Sequence, residues 1–270
     1  MKQSSRQSGF TLVELAIVLV IIGLIVGGVL VGQDLIKAAT VRAAVSQLEK
    51  YDTSVNAFRG KYNGLPGDLA TPTNFFSTIV VTGGDGNGDG DSLIEGQSAA
   101  NTPCTAAACL GGENAVAFTE MSLAGLISDP VTTVTGATYN LTPGDLTMPA
   151  SKLGKGSRVL MQAFSGRNYY VLGNFGSAAL ANGSGTFTAG VSVIDAYNID
   201  VKMDNGNPAT GKVISTAVAL SAVTTAANSA AGGSSTTCYN STPTPPVYNT
   251  ASSLNAADAL NCSLAIRASF

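Results

Sequence analysis

Residues 15–32 carry no charged side chain and consist almost wholly of Leu, Ile, Val and Gly, which commits this part of the chain to an apolar helix long enough to cross a bilayer. Residues 1–9 are polar, carry Lys2 and Arg6, and hold no apolar core of their own. An ordinary secretory signal keeps its apolar stretch ahead of the cut, with small residues beside the cut. Here the only such stretch lies after Gly9, so cleavage between Gly9 and Phe10 leaves the helix on the mature chain. Glu14 stands near the start of that helix, where a carboxylate costs roughly 2.5 to 3.5 kcal/mol on insertion scales and is normally paired or functional.

Gly9-Phe10-Thr11-Leu12-Val13-Glu14, followed at once by the apolar run, resembles the class III leader of type IV pilins and of type II secretion pseudopilins. The resemblance implies that a prepilin peptidase cuts after Gly9 and methylates the Phe10 amine. It also implies that Glu14 meets the N-terminal amine of a neighbouring subunit, an attraction strengthened in an apolar bundle. The partners implied are copies of this chain and other pilin-like subunits, the prepilin peptidase and the inner-membrane assembly machinery. The precursor would be a single-pass protein of the bacterial inner membrane with its head in the periplasm, destined for an extracellular type IV pilus. A pseudopilin would instead form a periplasmic piston. A plain membrane helix bearing a binding or adhesive module that never polymerises is the third reading.

Among the 270 residues there is no His and no Trp, which excludes Ser/His/Asp and Cys/His catalysis and histidine metal sites. No nucleophile and base pair survives inspection, so an enzyme is not expected. Charged residues make up 11% of the chain, against roughly 25% in ordinary globular proteins. Losing Lys2 and Arg6 moves the formal charge from −3 to about −5, so nothing argues for nucleic-acid binding.

Beyond the apolar run, Val41, Val45, Leu48, Val55, Phe58 and Tyr62 recur at helical spacing with charged residues between them. The spacing predicts one helix over 10–60, about 75 Å long at 1.5 Å per residue. The organisation expected is a leader over 1–9, a transmembrane and assembly helix over 10–32, its amphipathic continuation over 33–60, and a globular head over 61–270. Gly23, Gly27, Gly28 and Gly32 permit either close helix contact or local unwinding. Tyr62-Asn63-Gly64-Leu65-Pro66-Gly67-Asp68 turns the chain into the head. A short helix is predicted over 113–127 with Val116, Leu123 and Leu126 inward, and a hairpin over 158–175. Residues 192–204 fit a helix at first and a strand at the end, 205–208 a turn, 213–220 and 264–266 strands, and 221–253 a long surface loop. The fold class expected is α+β and pilin-like, a long N-terminal helix packed on a head with an antiparallel sheet.

Four cysteines in an exported head imply two disulfides, and of the three connectivities we favour Cys104 with Cys109 and Cys238 with Cys262. No cofactor is required. The one candidate is a structural calcium ion on the Gly/Asp-rich segment, where Asp85, Asn87, Asp89 and Asp91 alternate and Glu95 follows, as around a hard cation. The closing acid is misplaced, since a twelve-residue loop needs it at Gly96, and a solvated turn is the bland alternative. Lys152, Lys155, Arg158 and Arg167 read as a charged sheet edge rather than an anionic-surface patch.

Overall fold

The computed structural model describes residues 11–76, 88–99, 102–103, 112–131, 148–164, 166–175, 187–215, 229–231, 237–242, 244–250 and 259–270. Helix α1 runs unbroken from Leu12 to Tyr62, so the four glycines of its apolar half leave it helical. The chain divides into two compact units within α1, one ending at Thr40 and one spanning Val41–Phe270.

In the first unit the large apolar side chains from Leu12 to Ile36 are exposed. In the second, α1 buries Val41, Ala44, Gln47, Leu48, Tyr51, Val55 and Phe58, a stripe at intervals of three and four that places one face against the head. Tyr51 meets Phe118 edge-on at 5.1 Å between ring centroids. Its hydroxyl accepts from Gln47 Nε2 (2.8 Å) and donates to Asp129 (3.1 Å), so a polar group sits in the core without being orphaned.

The head holds β1 (Gln97–Ala99) and β2 (Thr102–Pro103), which pair with each other, then α2 (Glu113–Leu123), β3 (Arg158–Phe164), β4 (Arg167–Phe175), β5 (Phe187–Thr188), α3 (Val193–Met203), β6 (Val213–Ser215), β7 (Ser229–Ala231), β8 (Tyr239–Thr242), β9 (Val247–Tyr248) and β10 (Leu264–Arg267). The main sheet is antiparallel in the order β3-β4-β10-β6, with β5 pairing with β4. The predicted hairpin is β3 and β4, which pair from Arg158 with Gly173 to Phe164 with Arg167 and turn at Gly166 with φ 71°. Val159, Met161, Tyr170, Leu172, Leu264 and Ile266 belong to the same core as the α1 stripe, as the period of two along each strand requires. The C-terminal strand is thus an interior strand between β4 and β6.

Three expectations change. Helix α2 ends at Leu123, not 127, because Gly125 takes φ 71° and Leu126 N–H returns to Met121 O (3.0 Å), a Schellman stop that leaves Leu123 43% exposed. The ambiguous 192–204 stretch is helix α3, started by a reciprocal cap in which Asp195 N–H donates to Ser192 Oγ (3.2 Å) and Ser192 Oγ donates to Asp195 Oδ2 (2.6 Å). The 221–253 segment is not loop throughout, since β7, β8 and β9 form a small sheet within it.

Candidate functional site

The turn after α1 gathers acids that lie far apart in sequence. Asn63 takes φ 57° and Gly67 φ 89°, bending the chain back along the N-terminal part of α2. Gly67 is required on two counts, its left-handed backbone and the close approach of Glu113 O, which a Cβ there would meet at 2.4 Å. Its N–H donates to Glu120 Oε2 (2.7 Å). The next residue, Asp68, is buried and accepts from Gly90 N–H (2.7 Å) and Ser92 N–H (2.8 Å). Glu113, in the first turn of α2, accepts from Asp89 N–H (3.2 Å) and Glu95 N–H (2.8 Å). Asn168 on β4 completes the clamp by accepting from Ile94 N–H (2.9 Å) and donating to Ser92 O (3.0 Å). The segment 88–96 is therefore held by these side chains together with backbone bonds from Gly88 N–H to Leu69 O (2.8 Å), Asn114 N–H to Glu95 O (3.1 Å) and Ala163 N–H to Ile94 O (2.6 Å).

Asp68, Asp89 and Glu113 bring carboxylate oxygens within 4.8 Å of one another. Burial pushes the Asp68 carboxyl up to about 6, and the neighbouring Asp91 and Asp89 add to the rise against the pull of its two amide donors. Burial raises Glu113 to about 8 and Glu120 to about 8, with Asp68 pushing both further. Glu120 Oε1 is buried with no hydrogen-bond partner. Three hard oxygen donors suit a divalent cation such as calcium, which would use the second lone pairs of oxygens that already accept backbone N–H groups. The same crowding also favours simple protonation.

Of the residues proposed from the Gly/Asp-rich segment, only Asp89 joins this cluster. Asp91 is exposed and caps its own turn by accepting from Leu93 N–H (2.7 Å). Glu95 is half-buried, and its carboxyl is raised by burial and by Asp91 and Asp89. Asp85 and Asn87 lie outside the described residues. Sequence reasoning missed Asp68, Glu113 and Glu120, because the first ends a turn phrase and the others are spaced as ordinary helix residues.

At the other end of the chain, Thr11 precedes the first helical residue and Glu14 is the third. Thr11 N–H and Thr11 Oγ1 both donate to Glu14 Oε2 (2.8 Å each), and Glu14 N–H donates to Thr11 Oγ1 (3.3 Å). This is a capping box, legible as Thr-x-x-Glu but not drawn from the sequence above. It occupies Oε2 of the Glu14 carboxylate. Gly9 and Phe10 lie outside the described residues. The helix that follows is long and apolar enough to cross a membrane.

Residues 4–30 match the prokaryotic N-terminal methylation motif. It is the class III leader of type IV pilins and pseudopilins, and with the apolar part of α1 it fits a membrane-anchored precursor. No curated protein and no solved structure matches the chain.

The methylation motif thus covers the leader and the start of α1 and says nothing of the head. There the expected Cys238–Cys262 disulfide is present, with Cα atoms 4.9 Å apart, tying the start of β8, the central strand of the small sheet, to the entry of β10. Cys104 and Cys109 lie outside the described residues. Arg158 is spent within the fold, donating from Nη1 to Met148 O (2.7 Å), while Lys152, Lys155 and Arg167 are exposed.

Proposed function

We propose that this protein is a structural subunit of a type IV pilus-like filament, without enzymatic activity, that prepilin peptidase cuts between Gly9 and Phe10 and methylates at Phe10. The methylation motif carries the reading, because it runs directly into an exposed apolar helix whose first turn holds Glu14. Apolar surface on this scale is stable in lipid or against other copies of the same helix, and not in water. Glu14 keeps one oxygen for the cap and offers the other to a charged amine, which in an apolar bundle fixes the axial register of one subunit against the next. The head is then displayed on the filament.

The test is the intact and N-terminal mass of the protein in sheared surface filaments and in washed membranes. An N-methylated Phe10 start in the sheared material is the expected result. The same start confined to membranes would move the assignment to a pseudopilin, and an uncut Met1 would remove the filament reading altogether. If Glu14→Ala leaves recovery in filaments unchanged, the protein is a tethered module rather than a polymerising subunit.

A further inference from the structure

Lys202 at the end of α3, Lys212 ahead of β6 and Arg267 at the end of β10 line one cleft of about 200 Å³. None of the three side chains has a hydrogen bond or ion pair among the described residues. The opposite wall is α1, through Glu49 and Asp52. Asp52 accepts from Ser269 Oγ (2.7 Å) and Ser269 N–H (3.4 Å), neutral donors that leave its charge in place, so two carboxylates face three cations. Tyr170 also lines the cleft. It is 1% exposed, and burial first and then the adjacent Asp52 carboxylate raise its ionisation. Three cations without ion pairs among the described residues, gathered in one cleft, have the chemistry of a site for a carboxylate. Its volume lies below the roughly 300 to 1,000 Å³ of small-molecule pockets and suits a single inserted acidic side chain.

The complementary group is on the same head. Asp89 and Asp91 are exposed, and the hydrogen bonds they accept come from their own turn, Asp91 N–H to Asp89 Oδ1 (3.1 Å) and Leu93 N–H to Asp91 Oδ1 (2.7 Å). Neither meets a cation among the described residues.

We propose that the Lys202, Lys212 and Arg267 cleft of one subunit receives the Asp89–Asp91 turn of a second copy of this chain. The interface rests on the filament reading above, to which it adds a contact between heads. Opposite charges at such a contact set register and exclude wrong pairings more than they add affinity.

The test uses the full-length protein expressed in cells that export it. Asp91→Cys combined with Lys212→Cys should give a disulfide-linked ladder in sheared filaments, and neither substitution alone should do so. Arg267→Glu should lower filament recovery about tenfold, and adding Asp91→Lys should bring it back to within about twofold of wild type. The amount of processed, Cys238–Cys262-oxidised subunit in membranes separates lost assembly from lost folding. Wild-type filaments in which the double cysteine variant gives no ladder, or an Asp91→Lys single variant that assembles as well as wild type, overturn the interface alone. Wild-type cells that make no filament overturn the filament reading and the interface with it.

Discussion

Replacing Glu120 by Gln should remove about two fifths of the dependence of the head's stability on pH between 5 and 7. The carboxyl titrates near 4.5 when free and at about 8 in the fold, so the folded state holds its proton more tightly than the unfolded state. For a group shifted in that direction, stability is fully present below pH 4.5 and drains away as pH rises toward 8, at about 1.4 kcal/mol per unit. From pH 5 to pH 7 the loss is about 2.5 kcal/mol for Glu120, about the same for Glu113, which also sits at about 8, and about 1.3 kcal/mol for Asp68 at about 6. Gln keeps the shape and the acceptor for Gly67 N–H and carries no proton to lose, so its variant should fall by about 4 kcal/mol over that interval where the wild type falls by about 6. The assay is urea unfolding of the full chain in detergent, with chelator present, followed by the near-ultraviolet signal of the head's tyrosines at several pH values. Parallel stability curves for the two proteins, or a wild type that gains stability from pH 5 to pH 7, would refute the reasoning. Repeating the series in calcium adds a second discrimination. An ion on Asp68, Asp89 and Glu113 would hold those acids ionised and flatten the wild-type curve, leaving the Glu120 contribution in place.

Gly67→Ala should destabilise the head by about 2 to 4 kcal/mol, since it combines a left-handed backbone with a Cβ at 2.4 Å from Glu113 O; the same unfolding assay reads it. Removing the disulfide as Cys238→Ser with Cys262→Ser should cost about 3 kcal/mol by freeing a loop of sequence separation 24, and a loss below 1 kcal/mol by urea titration would show the region already ordered without it. Gly27→Leu should leave the unfolding of the head within about 0.5 kcal/mol of wild type, because a Cβ at Gly27 meets nothing within 4 Å. If that glycine lets neighbouring helices approach in a filament, the same substitution should sharply reduce sheared material.

The elements most legible in the sequence were those written in local periodicity. The α1 stripe through Val41, Leu48, Val55 and Phe58, the β3–β4 hairpin and the β10 strand needed only the 3.6 and 2.0 periods to be found. Tyr51 and Gln47 belong to the same buried face but were hidden by their polar atoms, whose partners at Asp129 and Ala150 are supplied from far along the chain. The early end of α2 rested on Gly125, an isolated glycine that pattern reading passes over until its φ is known. The acidic cluster was only a third visible. Asp89 stood in a recognisable Gly/Asp segment, whereas Asp68 and Glu113 reach it through the turn at Gly67 and the packing of α2, neither of which spacing can express.

Taken as one helix, α1 meets two different requirements with the same 3.6-residue period. Over 41–62 one side of it is buried in the head, and the acids that fold the following turn, Asp68 to Gly90 and Ser92, Glu113 to Asp89 and Glu95, fix what comes next in the chain. Over 12–36 its apolar side chains are exposed on every face, so no single protein surface packed on one side can cover them. A helix apolar all round is stable only where its entire surroundings are apolar, which lipid supplies and which, in the proposed filament, a ring of identical helices would supply. The two environments differ at Glu14. In lipid its second oxygen has no strong partner, whereas in the proposed bundle the amine of an adjacent chain would pair with it, so the one charged side chain between residues 12 and 33 would favour the assembled state over the dispersed one.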